Sequence, residues 1–330
     1  MTVGSDLPLV NPATVAATTA GGAHQGVPRS GRVRRLTGVD RVVVIVMVAV
    51  PLFLTTLFVV LPALATVVLS FTSWDGIGGL SKIKWVGGDN YVNIATNYPP
   101  FWPAIQHNLL WLVMLFLVAT PLGMYFAVQL DKEIKFSRFY QTPIYLPVVL
   151  SLALIGFIWQ LLYSHDFGLI NAILQRFGWQ SADGAVDWYG DDKIAIWSVM
   201  VAAVWRHAGY IMLLYLAGLK GVDPTLREAA AVDGATGAQS FFRVVFPVMR
   251  PINVIVIVIT VIESLRAFDL VWVVNKGRNG LELISALVTS NVVGEASRIG
   301  FGSALATIML VISLVFIAIY LATVLREDQP

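Results

Sequence analysis

Six long apolar blocks, separated by connections of alternating character, dominate the chain. They fall at residues 42–71, 105–130, 139–162, 194–219, 251–274 and 302–325. Each is near or above the roughly 20 residues an α-helix needs to cross a bilayer. The pattern predicts an all-α, polytopic transmembrane helical bundle of six spans. Pro51 and Pro62 in the first block and Pro147 in the third predict kinks, tolerable where neighbouring helices re-satisfy the backbone. A shorter apolar stretch, 281–293, cannot span and predicts an interfacial or re-entrant helix before the last block.

The connections fix an orientation. Residues 72–104 carry Trp74, Trp85, Trp102, Tyr91 and Tyr98, the aromatic content of an outer membrane interface. The turn 131–138 holds Lys132, Lys135 and Arg138, a cytoplasmic mark. Residues 163–193 are acidic (Asp166, Asp183, Asp187, Asp191, Asp192) with Trp179 and Trp188, and are expected outside. The passage 220–250 has Lys220, Arg227, Arg243 and Arg250 and falls inside; 275–301 falls outside and 326–330 inside. Arg29, Arg32, Arg34, Arg35 and Arg41 precede the first block, so both termini are expected in the cytoplasm. Residues 1–38, rich in Gly, Ala, Thr, Pro and Arg, predict a disordered cytoplasmic tail, because they bury too little to offset ordering entropy. Residues 39–330 then form one membrane domain. The first apolar run starts too far in and is too long for a secretory signal.

Composition narrows the function. At 57% hydrophobic and 13% charged the chain is far more apolar than a soluble domain. A net charge of +2 gives no reason to expect a nucleic-acid partner. Cysteine is absent, which excludes disulfides and thiolate sites, and His24, His107, His165 and His207 are scattered without metal-ligand spacing. The patterns G-x-x-x-x-G-K-[ST], H-E-x-x-H and G-x-S-x-G do not occur, so no catalytic residue, metal site or bound cofactor is expected.

The longest polar passage between two apolar blocks, 223–251, reads as two short helices. Asp223 can cap a helix that starts at Pro224, where a missing N–H costs nothing. Gly234 suits the left-handed residue that ends it. Thr236 starts a second helix, with Gln239 completing a capping box. Phe241, Phe242, Val244, Val245 and Phe246 make that helix sticky, and Pro247 and Pro251 bound its end. The result is a compact, partly apolar elbow suited to docking.

Glu228-Ala229-Ala230, three residues, Gly234, nine residues, then Val244-Val245-Phe246-Pro247 resembles the EAA signature of bacterial ABC-importer permeases. The longer phrase EAAAVDGA, ending in Pro247 and Pro251, resembles the carbohydrate-importing, maltose-type branch. Phe268-Asp269-Leu270-Val271-Trp272-Val273-Val274 matches the first half of a phrase that follows the elbow in that branch; the Gly-Gly-Pro ending is replaced by Asn275-Lys276-Gly277-Arg278-Asn279-Gly280. The resemblance implies a permease subunit of the bacterial plasma membrane that imports a sugar, of di- or oligosaccharide size, by alternating access. It implies as partners a second homologous permease, two copies of a cytoplasmic ATPase that carry the ATP and Mg, a substrate-binding protein outside the membrane, and lipid. It also implies that Glu228, Ala229, Ala230, Asp233, Gly234, Phe241, Phe242 and Pro247 shape the ATPase-coupling surface.

Polar residues inside spans mark the transport path, since each is costly in hydrocarbon without a partner. Trp205-Arg206-His207 lies about twelve residues into the fourth block, roughly 18 Å deep at 1.5 Å per residue. Glu263 lies at similar depth in the fifth, so Arg206 and Glu263 are expected to pair or to face one cavity. A sugar needs amides, carboxylates and aromatic plates. The substrate-lining candidates are therefore Asn108, Gln160, Trp205, Arg206, Tyr210, Asn253, Glu263, Phe268 and Asp269. Two rivals stand beside this reading. One is a permease of the same architecture for a non-sugar solute; the other is an ion-coupled transporter using Glu263, Arg266 and Asp269 as a relay.

Overall fold

A computed structural model describes residues 37–77, 79–132, 137–179, 184–294 and 297–327. Most of the expected tail, with Arg29, Arg32, Arg34 and Arg35, lies outside the described residues, as do Lys135 and Asp183. Among the described residues the structure is helical, with one isolated antiparallel bridge between Thr72 and Trp85. Among the described residues four helices are long and apolar enough to cross a membrane: Gly38–Leu69, Phe101–Asp131, Ala195–Lys220 and Ile299–Ile319. Two bent pairs bring the total to six if each counts as one crossing: Phe139–Val149 with Leu152–Leu162, and Gly237–Val248 with Arg250–Asn275.

The chain divides into two compact units, one ending at Val60 and one starting at Leu61. In the first, Thr37 opens the Gly38–Thr55 helix through a capping box with Asp40. Pro51 lies inside this helix, and a π-helical stretch follows at Thr56–Val60.

In the second unit the Ala195–Lys220 helix is the central post, with fourteen buried residues spread around its circumference. Around it Trp111, Leu115, Ile155, Val199 and Met200 form one apolar core, while Ala127, Ile211, Met212, Tyr215, Leu219 and Val245 form a second nearer the elbow. Small residues let the backbones approach. A Cβ added at Gly123 would lie 2.6 Å from the Ala208 carbonyl and 2.8 Å from Ile211, and one at Gly209 would strike the Ile144 carbonyl.

Two expectations shift and a third gains detail. Pro147 does not mark the bend in the third block. The helix continues through it, and the 109° bend comes at Leu150–Ser151, where Ser151 Oγ caps the next helix by accepting from Leu154 N–H at 3.2 Å. The fifth block is not one helix. Arg250–Leu265 stops, residues 266–268 unwind, and Asp269–Asn275 resumes. The 281–293 stretch forms a nine-residue helix, Ile284–Val292, whose Ile284, Ala286 and Leu287 are buried in protein. Ile284 and Leu287 share a core with Phe101, Ala304 and Leu305, and the backbone N–H of Ile284 donates to Asn108 Oδ1 at 3.0 Å.

Candidate functional site

Two polar regions stand out, one at the elbow and one where the fifth block unwinds. At the elbow the local rules operate as the residues dictate. Asp223 Oδ1 accepts from Thr225 N–H at 2.9 Å and opens the Pro224–Val232 helix. That bond holds the Asp223 carboxyl below its usual pKa. The helix ends in a Schellman arrangement: Ala235 N–H donates to Ala230 O at 2.9 Å and Gly234 N–H to Ala231 O at 3.1 Å. Gly234 has φ +76°, and a Cβ there would meet nothing, so backbone conformation rather than space favours glycine. Thr236 and Gln239 form the capping box, with Thr236 N–H donating to Gln239 Oε1 at 2.8 Å and Gln239 N–H to Thr236 Oγ1 at 3.3 Å. A π-helical stretch over Phe241–Val245 follows, and the Gly237–Val248 helical segment bends by 78° into Arg250–Asn275.

The elbow is both anchored and exposed. Ala230, Val245 and Met249 are buried, whereas Glu228, Ala229, Asp233 and Pro247 are exposed. Val232 is 88% exposed and Phe242 59%, so the elbow presents apolar side chains at its surface. Phe242 stacks edge-on to Phe241 at 5.0 Å, so the exposed ring is held in place. Between the two elbow helices runs a groove of about 410 Å³ bordered by Leu226, Ala229, Asp233, Gln239 and Arg243.

At the second region Arg206 Nη1 lies 3.3 Å from Glu263 Oε2. Next to this pair, His207 Nε2 and Thr260 Oγ1 share a buried hydrogen bond of 3.0 Å, and Thr260 Oγ1 lies 3.4 Å from Thr120 Oγ1. The unwound residues 266–268 put Arg266, Phe268 and Asp269 into the same cavity as Arg206, His207 and Glu263. Irregular backbone at membrane depth is tolerable where it lines such a space. The cavity measures about 40 Å³, room for a few waters and far less than a sugar ring. Arg206 Nε is buried there without a partner. Phe268, stacked on Trp272 at 5.2 Å, also borders a larger hollow of about 370 Å³ that carries the hydroxyls of Ser285, Thr289 and Ser313.

The structure therefore brings together Arg206, Glu263, Phe268 and Asp269 of the nine candidates. The other five are engaged elsewhere. Asn108 caps the Ile284–Val292 helix, and Gln160 Nε2 donates to Val274 O at 3.4 Å. Trp205 packs edge-on against Trp159 at 5.9 Å and faces an apolar hollow with Val118, Leu122 and Trp197. Tyr210 packs against the core nearer the elbow. Asn253 Nδ2 donates to Phe246 O at 2.9 Å across the bend, leaving its Oδ1 buried and unpaired.

Sequence reasoning missed Thr260 as the partner of His207, and Asp131. The Asp131 carboxylate accepts from Arg227 Nη1 at 2.6 Å and meets Lys220 Nζ at 3.4 Å. An acid closing a helix, against the helix dipole, was the available signal.

Comparisons with known proteins agree with this architecture. The family of binding-protein-dependent transport system inner membrane components matches residues 119–327. The chain is 30% identical over 259 residues to the xylose/arabinose import permease protein XacH of Haloferax volcanii, spanning 77% of this chain and 78% of that one. It is 30% identical over 238 residues to the arabinooligosaccharides transport system permease protein AraP of Halalkalibacterium halodurans, spanning 70% and 73%. In fold it superposes with a TM-score of 0.74 on a chain of a bacterial ABC transporter involved in the import of the acidic polysaccharide alginate. That match is 20% identical and covers 88% of this chain and 97% of the other.

Proposed function

Because the chain belongs to the family of binding-protein-dependent transport system inner membrane components, we propose that it is the permease subunit of an ATP-powered importer carrying a sugar of di- or oligosaccharide size. The names of its sugar-importing relatives support the cargo class. The observation that carries the reading is the elbow, a preorganised pair of capped helices that displays Val232, Phe242 and an adjoining groove to solvent. Such a surface fits docking of a separate ATPase, which would hold the ATP and Mg.

The chain crosses a bacterial plasma membrane six times, with both termini in the cytoplasm. It pairs with a second, homologous permease, and two ATPase copies bind the two elbows. A binding protein outside the membrane delivers the sugar. Closure of the ATPases moves the elbow and rocks the helices, so that the cavity opens alternately to each side. The 40 Å³ space at Arg206 and Glu263 then corresponds to a closed state, and the second permease supplies the facing wall. In the open state Arg206, Glu263 and Asp269 offer charged hydrogen-bond partners for sugar hydroxyls, and Phe268 a flat face for the ring.

Purifying the chain from membranes tests this directly. An ATPase, a second permease and a sugar-binding protein are expected to accompany it, and uptake of the bound sugar into vesicles is expected to need ATP inside. Uptake that runs without the ATPase and collapses with an ion gradient would establish instead a secondary transporter built on Glu263, Arg266 and Asp269.

A further inference from the structure

One carboxylate ties three segments together on the elbow side of the second unit. Asp131 closes the Phe101–Asp131 helix, where a negative charge opposes the helix dipole. Its side chain is nevertheless only 9% exposed. Two cations hold it: Arg227 from the first elbow helix, on Oδ2, and Lys220 from the end of the Ala195–Lys220 helix, on Oδ1. Arg227 also donates through Nη2 to the Leu219 carbonyl at 3.2 Å, so one guanidinium bridges the ends of both long helices. Beside the cluster lies a hollow of about 190 Å³, bordered by Lys132, Gly237, Ser240 and Phe241. It gives Arg227 space to swing and admits water to Asp131 once the pair parts.

We propose that Asp131 is the tie that passes displacement of the elbow to the ends of two long helices. This inference rests on the docking role given to the elbow above. The covalent route from Lys220 to Pro224 is a three-residue turn containing Gly221, a soft joint. Without the tie, the elbow keeps only non-directional apolar packing of Phe241 and Val245 against the core that holds Ala127 and Leu130, and the Pro224–Val232 helix is freer to pivot on that turn relative to the Phe101–Asp131 helix, 96 residues away in sequence at the Asp131–Arg227 contact. With the tie, a charge-assisted bond of fixed direction makes the elbow and both helix ends move as one body. Asp131 is thus a positioning residue for coupling, and it need not touch the ATPase or the sugar.

The chain has no cysteine, which allows a clean reporter. The complex with its ATPase, carrying Leu152→Cys in the wall of the cavity, is reconstituted in nanodiscs and labelled with a water-soluble maleimide with and without Mg-ATP. The change in labelling rate is divided by ATP turnover. The parent complex is expected to show an ATP-dependent change; its absence would overturn the importer reading, and the tie with it. On that background Asp131→Asn and Arg227→Gln are each expected to cut the normalised change about five- to ten-fold. The double variant is expected to lose no more than either single one, because the two act as a unit. Asp131→Glu is expected to restore most of the change, with melting temperatures near the parent's. A normal response in Asp131→Asn would overturn the tie while leaving the importer reading intact. A loss shared by Asp131→Glu and accompanied by a lower melting temperature would reduce Asp131 to a packing role. Should Asp131→Asn fail to assemble, Arg227→Lys, which keeps the charge but not the two-armed bridge, decides in its place: an intermediate response supports the tie and a full one refutes it.

Discussion

The elbow and the cavity are built by opposite means. In the elbow nearly every defining bond spans two to five residues: Asp223 to Thr225, Ala235 to Ala230, Thr236 to Gln239. In the cavity the defining contacts join residues 57 and 53 positions apart, Arg206 with Glu263 and His207 with Thr260. A locally coded element keeps its shape while the bundle around it moves, as a docking surface must. A site coded by long-range contact changes shape whenever the helices that carry its halves shift. On the proposed function the elbow serves as a rigid handle and the cavity as a deformable chamber, and the Asp131–Arg227 bond is a long-range contact that links the elbow to the rest.

The comparison breaks most visibly at Arg206. Arg206→Glu sets two carboxylates against each other. The side chains are 22% and 36% exposed, so the loss is expected at about 2–3 kcal/mol, below the range of fully buried pairs. Sugar uptake in vesicles should fall roughly 30- to 150-fold. The swap Arg206→Glu with Glu263→Arg should recover part of it; a swap as poor as either single change would count against direct pairing.

Thr260→Val comes next, since it leaves buried His207 Nε2 without its hydroxyl partner. A loss of about 1–3 kcal/mol in stability is expected, read as a lowered melting temperature in detergent. At the elbow the expected effects are local. Gly234→Val forces a β-branched side chain into the left-handed region, at a cost of about 1–2 kcal/mol. ATPase coupling should drop with the bundle still folded, whereas Gly234→Asn, which tolerates that conformation, should keep most of it. Full coupling in the valine variant would remove Gly234 from the account. Thr236→Ala should cost about 1 kcal/mol of helix stability, seen as faster amide exchange over 237–246 with an unchanged global melting temperature.

The smallest effect is on pH. Asp223 has a folded pKa below 3.8, so its cap contributes fully above that value and is lost as pH falls through the lower folded one. Exchange protection of the Pro224–Val232 helix should be flat from pH 7 to about 5 and decline only in stronger acid. Asp223→Asn, which caps without ionising, should remove that decline. A decline already complete near pH 6 would point to a different group.

Much of this was legible in the residues. The apolar blocks fell close to the observed helices because burial in lipid needs only length and composition. The elbow's caps were readable because side-chain chemistry decides them within one turn. Pro147 misled because a proline removes one donor but does not by itself end a helix; the bend settled at Ser151, which could cap the next segment. Asn108 and Gln160 illustrate a related point. An amide in an apolar span signals only that it has a partner, and here the partners are backbone groups of the protein itself.

The sequence by itself determined the helical class, the approximate apolar segments and the shape of the elbow, because those follow from hydrophobic length and from bonds between near neighbours. Only the tertiary structure decided that the fifth block unwinds at 266–268, that Arg206 meets Glu263, and that Asp131 joins the elbow to two helix ends. Each of these depends on which helices pack side by side. Helix faces of similar apolarity allow many such packings, and the choice rests on small residues such as Gly123 and Gly209, whose fit is visible only when both surfaces are in place.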